Sequence, residues 1–229
     1  MDVHNQLLAA VKSYQMPPAA VTLLQAHPPL IVAGTTASGK DAVAEYIEAN
    51  SDWQFVITHT TRPIRTGETN GKEYWFVDES QMLALINQQA MVEVKYIHHN
   101  QVSGAAISSY QTIIDSGRKP MTIIEVQGIE DMLTRIPNLR PYFILPPDFD
   151  TWMERLNKRG HMSHVEKVKR MDSARRELEI AINNERFILV VNDDVARTAK
   201  EVMDGVTDIP SQARHRQLAM RLIEHIQAL

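Results

Sequence analysis

The chain has 229 residues, with 24 Lys and Arg against 28 Asp and Glu, which gives a formal net charge of −4. Its 44% hydrophobic and 23% charged residues are typical of a folded globular protein rather than a disordered one. The negative charge argues against general nucleic-acid binding. The absence of cysteine excludes disulfides, thiolate metal sites and cysteine nucleophiles. The chain shows no apolar run near the ~20 residues that cross a bilayer and no secretory signal pattern, so we expect a cytoplasmic protein without membrane association.

The sequence predicts a main domain at residues 29–204 between two helical extensions, 1–28 and 205–229. Leu7, Val11 and Tyr14 lie on one face of a predicted N-terminal helix. A final helix is predicted from Gln212 to Leu229. These terminal helices are expected either to cover the core or to form the interface of a homodimer.

Within the main domain, short apolar runs alternate with stretches of helical spacing. The runs, read as buried parallel strands, start at Leu30 and cover 54–57, 121–126, 142–145 and 186–191. The helical stretches are 41–50, 103–116, 149–158 and 164–183. This alternation predicts an α/β fold with a mostly parallel sheet flanked by helices. Residues 58–103 depart from it, and their alternating apolar positions predict a small β-rich lobe.

The strongest motif is a phosphate-binding loop of pattern G-x-x-x-x-G-K between a predicted strand and a predicted helix. Glycines let the backbone approach phosphate closely, and the helix N-terminus and lysine attract its charge. The residues of this loop are Gly34, Thr35, Thr36, Ala37, Ser38, Gly39 and Lys40.

The position after Lys40 usually carries a Ser or Thr hydroxyl that binds Mg²⁺, but here it is Asp41. A carboxylate is also a hard oxygen ligand, so Asp41 is the candidate Mg²⁺ ligand. The second possibility is that the negative charge of Asp41, close to a polyphosphate, relocates the metal or weakens nucleotide binding.

A second cluster of polar residues combines two guanidinium groups with a phenol. Arg62 and Arg65 are three residues apart among Thr and Pro, and Tyr74 follows in the same segment. Guanidinium forks bind phosphate in a bidentate manner, so these residues are candidates for holding a second phosphate.

The segment TTRPIRTGETNGKEYWFV, at residues 60–77, resembles the substrate-binding signature of guanylate kinases, which are nucleoside monophosphate kinases of the phosphate-loop fold. The resemblance continues through IIEVQG, FILPP, RLNKRG and VVNDD and covers about residues 29–204. It implies an acceptor-nucleotide lobe at 58–103 and a helical lid at 153–175.

The resemblance also implies residue roles. In the acceptor site, Arg62, Arg65 and Tyr74 would bind the phosphate, while Thr58, Glu93 and Glu125 would contact guanine. In the donor site, Asn192 would lie near the adenine of ATP. The lid arginines that act with Lys40 on the transferring phosphate would be Arg155, Arg159 and Arg170.

Besides Asp41, three positions depart from the family pattern. Ser103 and Ala105 stand where the family usually has Tyr and a hydroxyl residue, and Ile123 stands where an acidic residue helps to order Mg²⁺. The loss of the acid at position 123 and its gain at Asp41 are hypothesised to be coupled.

The implied activity is transfer of a phosphoryl group from ATP to GMP or dGMP, with Mg²⁺, in purine nucleotide metabolism. Two alternatives remain open on the sequence. One is a kinase with another acceptor, because the ribose 1,5-bisphosphate kinases have a similar Gly-Lys-Asp loop. The other is a guanylate-kinase-like binding module of low turnover, favoured by Asp41, Ile123, Ser103 and Ala105.

Overall fold

A computed structural model describes residues 2–97, 101–158, 164–205 and 208–228. The chain divides into two compact units. We call Leu30–Trp53 with Met121–Leu229 the core unit, and Met1–Pro29 with Gln54–Pro120 the lobe unit. The predicted α/β class is confirmed, because helices flank a sheet whose inner strands run parallel.

Nine strands and ten helices are formed in the described ranges. The strands are β1 (Leu30–Gly34), β2 (Trp53–Phe55), β3 (His59–Thr60), β4 (Trp75–Phe76), β5 (Met91–Ile97), β6 (Gln101–Ala106), β7 (Lys119–Ile123), β8 (Tyr142–Leu145) and β9 (Ile188–Val191). The helices are α1 (Val3–Ser13), α2 (Pro18–Ala26), α3 (Lys40–Asn50), α4 (Glu79–Asn87), α5 (Ile107–Asp115), α6 (Val126–Arg135), α7 (Phe149–Lys158), α8 (His164–Asn183), α9 (Val195–Met203) and α10 (Ile209–Gln227). No helix among the described residues is long and apolar enough to span a membrane.

The larger sheet has the strand order β2-β7-β1-β8-β9. All four residues of β8 and the first four of β1 are buried, as expected for parallel strands covered on both faces. Val32 of β1 pairs with Ile123 of β7 on one side and with Tyr142 of β8 on the other. The segments that follow β1 and β7 therefore leave the same edge of the sheet, where ligands of open α/β sheets bind.

The end strand β9 is covered by side chains of α10. Gln212 accepts a hydrogen bond from the Leu189 N–H at 2.9 Å and donates one to the Leu189 carbonyl at 3.0 Å. His215 Nδ1 lies 2.6 Å from the same carbonyl oxygen. The C-terminal helix thus satisfies backbone groups that an exposed strand edge would offer to another chain.

The lobe unit contains a four-stranded sheet of order β4-β3-β6-β5. Strands β5 and β6 pair antiparallel, with a register shift between Met91 and Glu93. Helix α1 packs on α4 and β5, and its Leu7 is fully buried in their shared apolar cluster. The unit therefore takes in the N-terminal helices as well as the predicted β lobe.

Two elements of the lobe differ from the sequence predictions. Residues 103–106, predicted as the start of a helix, continue β6 instead, because Gly104 lies so close to β5 that a Cβ would meet the Glu93 carbonyl oxygen at 2.2 Å. The predicted β lobe also contains α4, which begins with a capping box between Asp78 and Gln81.

Candidate active site

The loop between β1 and α3 has the strand–loop–helix context that the sequence motif predicts. Gly34, Ala37 and Gly39 have positive φ angles of 152°, 61° and 91°. A Cβ on Gly34 would lie 2.6 Å from the Ile144 carbonyl oxygen. Left-handed residues within such a loop make successive backbone N–H groups converge on a concave surface that binds anions.

Two buried hydroxyls in this loop have no partner among the residues that the structure describes. Thr35 and Ser38 are fully buried, yet Thr35 Oγ1 and Ser38 Oγ lack a hydrogen bond within the described part of the chain. The N-cap of α3 is Gly39, which has no side chain to cap the helix. Unpaired hydroxyls and helix N–H groups are the donors that a bound phosphate would satisfy.

Three side chains of the core unit hold the backbone carbonyls of the loop. Asn192 Nδ2 and Arg155 Nη1 donate to the Ser38 carbonyl at 2.9 and 3.3 Å. Trp152 Nε1 donates to the Thr36 carbonyl at 2.7 Å, and Arg155 Nη2 donates to the Asn192 carbonyl at 3.1 Å. The Thr36 and Ser38 carbonyls are thus bound to protein, and the Ser38 N–H donates to the Thr35 carbonyl at 3.2 Å. The first N–H groups of α3 have no intrahelical partner and are the candidate donors to an anion.

The structure thus gives Asn192 and Arg155 a role in shaping the loop. Asn192 is only 1% exposed, and its amide contacts Ser38. The two bonds of Arg155 use two of its five N–H donors. A contact of Asn192 with adenine and of Arg155 with a transferring phosphate stay predictions.

A cluster of charged groups lies next to Lys40, the first residue of α3. Burial raises the pKa of Glu177 on α8 to about 7, with Lys40 lowering it and Glu125 raising it further. The Ser173 hydroxyl donates to Glu177 Oε1 at 3.3 Å. Helix α8 therefore places a carboxyl group with a pKa of about 7 near the phosphate-loop lysine and the predicted guanine ligand Glu125.

The remaining predicted residues of the core unit are located by their positions on the helices. Asp41 is the second residue of α3, adjacent to Lys40, and Glu125 is the N-cap of α6 at the end of β7. Arg170 is an exposed residue of α8. Arg159 lies outside the described residues.

In the lobe unit, Arg62 is held by a carboxylate and two aromatic rings. Its Nη1 and Nη2 donate to Glu68 Oε2 and Oε1 at 2.8 and 2.7 Å. Its guanidinium carbon lies 5.1 Å from the ring centroid of Tyr74 and 5.3 Å from that of Phe76. The geometry fixes the plane of the guanidinium and so orients a candidate phosphate ligand.

Glu68 also organises the second arginine of this segment. Glu68 Oε2 accepts a hydrogen bond from the Arg65 N–H at 2.8 Å. Bonds from Arg62 and from that N–H lower the pKa of Glu68 to about 2. The carboxylate is therefore ionised under physiological conditions. It binds the Arg62 side chain and the Arg65 backbone, and the Tyr74 ring lies beside Arg62.

Strand β5 carries Glu93, one of the three predicted base-recognition residues. Glu93 lies opposite Ala105, and Glu93 Oε1 accepts a hydrogen bond from the Ala105 N–H at 3.1 Å. Ser103 Oγ donates to Thr60 Oγ1 at 2.9 Å. Ser103 is thus engaged within the sheet, whereas the Thr58 carbonyl accepts from the Trp75 N–H at 2.9 Å.

Sequence reasoning missed Trp152, Glu177 and Glu68 as parts of these arrangements. Trp152 carries a signal, since a buried indole N–H needs an acceptor. Glu177 also carries one, because it is three residues after Ala174 on the buried stripe of α8. Glu68 lies within the resembling segment, but no spacing rule pairs it with Arg62.

The parallel sheet and its glycine loop define a nucleotide-binding protein of the phosphate-loop class. The guanylate kinase family model matches residues 26–208. A guanylate kinase of Leifsonia xyli is 32% identical over 186 residues, covering 81% of this chain and 72% of that protein. A guanylate kinase of Neisseria meningitidis serogroup A is 33% identical over 189 residues, covering 82% and 90%. This chain belongs to the guanylate kinase family.

A solved structure agrees with the fold. The crystal structure of guanylate kinase from Anaplasma phagocytophilum matches with a TM-score of 0.56 at 22% identity, covering 77% of this chain and 82% of that one. Most of α1 and α2 precedes the segment that the family model matches.

Proposed function

We propose that this protein is an ATP-dependent guanylate kinase that transfers the γ-phosphoryl group of ATP to GMP. The observation that carries the proposal is the phosphate loop, in which the protein binds the carbonyls and leaves hydroxyls and helix N–H groups for an anion. Membership of the family assigns the acceptor. Phosphoryl transfer needs positioning and charge neutralisation rather than a covalent nucleophile, which suits this set of residues.

In this function the loop from Gly34 to Lys40 binds the β- and γ-phosphates of ATP. Lys40 supplies a mobile positive charge, and Arg155, Arg159 and Arg170 add the charge of the lid. Arg155 already contacts the Ser38 carbonyl, so its movement toward phosphate is linked to the shape of the loop. Exclusion of water by the lid limits hydrolysis of ATP.

The acceptor GMP is assigned to residues of the lobe unit and to Glu125 of the core unit. Arg62, Arg65 and Tyr74 bind its phosphate, with Glu68 holding Arg62 in place. Glu93 and Glu125 accept hydrogen bonds from guanine N–H groups, with Thr58 as a further contact. A site whose buried acceptors need these donors rejects bases that lack them.

Magnesium fits the nucleotide end of the site through Asp41. No group of three or more metal-binding side chains occurs within the described ranges. Mg²⁺ commonly binds through one or two carboxylates together with substrate phosphates and water, so a single carboxylate beside the loop is sufficient. When bound, the ion would neutralise charge on the phosphates.

Three finer assignments belong to this proposal. GMP is the acceptor and dGMP a second one, since no residue of the site is assigned to the ribose 2′-hydroxyl. A cytoplasmic location is inferred from the cysteine-free composition. A homodimer through the terminal helices stays a prediction, and the contacts of α1 and α10 with their own units favour the alternative that they cover the core.

The test is ADP release from ATP and Mg²⁺ with GMP, dGMP, AMP, UMP or ribose 1,5-bisphosphate as acceptor. We expect release with GMP and dGMP and none above background with the others. Lys40→Ala is the blank, since it removes the positive charge that acts on the transferring phosphate and keeps the helix.

The alternatives predict different results. Release with ribose 1,5-bisphosphate alone would indicate a sugar phosphate kinase, and no release in folded protein would indicate a binding module. The relatives described above are all guanylate kinases and support neither alternative.

A further inference from the structure

The N-terminal helix α1 is followed by Tyr14, whose hydroxyl is hydrogen-bonded to strand β5, the strand that carries Glu93. The Tyr14 hydroxyl donates to the Met91 carbonyl at 2.8 Å and accepts from the Met91 N–H at 3.2 Å. A phenol carries one donor and acceptor lone pairs, so it replaces the backbone of a neighbouring strand at this residue. Strand β5 is the end strand of its sheet, where such a partner is needed.

Met91 lies at the register shift that sets the direction of Glu93. The shift occurs between Met91 and Glu93, and Val92 is the residue between them. A bulge re-aims the side chains that follow it. Fixing Met91 on one side of the shift therefore fixes Glu93 on the other side, where Glu93 Oε1 accepts the Ala105 N–H.

The rest of α1 is anchored so that Tyr14 keeps this position. Leu7 is fully buried in the cluster that also contains Met91 and Met82. His4 Nδ1 lies 2.7 Å from Glu79 Oε1 in the first turn of α4. Burial raises the pKa of Tyr14, so its hydroxyl keeps its proton at neutral pH.

We propose that Tyr14 is a positioning residue for guanine recognition, which acts on Glu93 through the Met91 backbone. The inference rests on the proposed function, in which Glu93 binds guanine N–H groups. It assigns a role in acceptor selectivity to a helix that precedes the segment matched by the family model.

The test compares Tyr14→Phe with Val11→Ala. The first variant removes both bonds to Met91 and keeps the ring, whereas the second weakens the packing of α1 against the same cluster and keeps the bonds. For Tyr14→Phe we expect the KM for GMP to rise about tenfold while the KM for ATP stays within about twofold. The reason is that only Glu93, which binds the acceptor GMP, is displaced. With IMP, which lacks the 2-amino group, the increase should be smaller.

A readout without turnover accompanies the kinetics. Amide hydrogen exchange of Ala105 should accelerate in Tyr14→Phe, because its N–H is bonded to Glu93, and should stay close to wild type in Val11→Ala. Urea unfolding of both variants measures their loss of stability. Equal changes in the KM for GMP in the two variants, or unchanged exchange at Ala105 in Tyr14→Phe, would overturn the positioning role.

The two proposals fail in different ways. If the wild-type protein does not phosphorylate GMP, the proposed function fails. Exchange at Ala105 then still decides whether Tyr14 positions Glu93. If GMP is phosphorylated and Tyr14→Phe matches wild type in both readouts, only the positioning role fails.

Discussion

At the scale of single residues, Gly39 combines a left-handed backbone with a close neighbour. Its φ is 91°, and an added Cβ would lie 2.2 Å from Asn192 Nδ2. Gly39→Ala should therefore push Asn192 away from the Ser38 carbonyl and deform the loop. We expect ATP affinity to fall more than tenfold and the free energy of unfolding to drop by about 1–3 kcal/mol. Calorimetric titration with ATP and urea unfolding measure the two effects.

Gly117→Ala is the matched control. Gly117 has a φ of 78°, and no heavy atom lies within 4 Å of an added Cβ. This variant carries a comparable backbone strain outside the phosphate loop. It should lose stability and keep its ATP affinity. An equal loss of affinity in both variants would show that strain alone, and not displacement of Asn192, explains the result.

Glu177 gives a pH-dependent prediction. Its pKa of about 7 in the folded protein lies above the ordinary value of 4.5, mainly because of burial. The folded state therefore keeps a proton that the unfolded state loses, so this group's contribution is present below pH 4.5 and lost as the pH rises through 7. Glu177→Gln should be more stable than wild type at pH 8, by up to about 3 kcal/mol, with a smaller difference at pH 5. Urea unfolding at both pH values checks this.

Glu179→Gln is the control on the same helix. Glu179 forms an ion pair with Arg175 at 2.5 Å on the surface of α8. Its loss should lower the free energy of unfolding slightly, by less than about 1 kcal/mol. Stabilisation of Glu177→Gln that is independent of pH, or that equals the change in Glu179→Gln, would contradict the effect of burial.

These residues show what the sequence discloses at this scale. The phosphate loop is visible because its glycines and Lys40 occur at fixed spacing around one turn. Glu177 and Trp152 approach that loop from α8 and α7, over a hundred positions later in the chain. No local pattern reports such a contact, so their roles emerge only when the fold brings the helices to the sheet.

At the scale of elements, α10 protects the edge of β9 mainly with the amide of Gln212, with His215 close to the same carbonyl. Gln212 accepts from the Leu189 N–H at 2.9 Å and donates to its carbonyl at 3.0 Å. Gln212→Ala should leave partly buried backbone groups with poorer partners. We expect the free energy of unfolding to fall by about 1–3 kcal/mol. Urea unfolding measures the loss, and light scattering should show more association through the exposed edge.

Gln217→Ala tests whether the effect belongs to the edge or to the helix. Gln217 is exposed on α10, so the same substitution there keeps the contact with β9. It should change stability by less than about 0.5 kcal/mol. Similar losses in the two variants would mean that helix content, rather than the paired edge, determines the stability.

The element predictions are accurate where the local sequence pattern is strong and wrong where a tertiary contact decides the structure. Strand β8 and helices α7 and α8 have the predicted bounds, because a buried apolar run and a long amphipathic period are strong local patterns. Residues 103–106 of strand β6 were predicted as the start of a helix. Its course depends on Gly104 lying against the β5 backbone, a tertiary contact that helix-favouring alanines nearby obscure.

At the scale of the whole molecule, the residues assigned to ATP lie in the core unit, and those assigned to GMP lie in the lobe unit except Glu125, which belongs to the core unit. The phosphate loop, Arg155 and Asn192 lie in the core unit, whereas Arg62 and Glu93 lie in the lobe unit. A ligand that binds only the folded state slows local opening around its own site. Amide exchange should therefore resolve the two substrates along the chain.

We expect a non-hydrolysable ATP analogue to protect residues 34–40 and the start of α3, and GMP to protect residues 60–76 and 91–106. Lys40→Ala should lose most of the protection by the ATP analogue and keep that by GMP, while Arg62→Ala should show the reverse. The reciprocity separates the two sites without requiring turnover, because each variant serves as the control for the other. Protection of both segments by either nucleotide alone, with equal loss in both variants, would show that the ligands do not divide between the units as assigned.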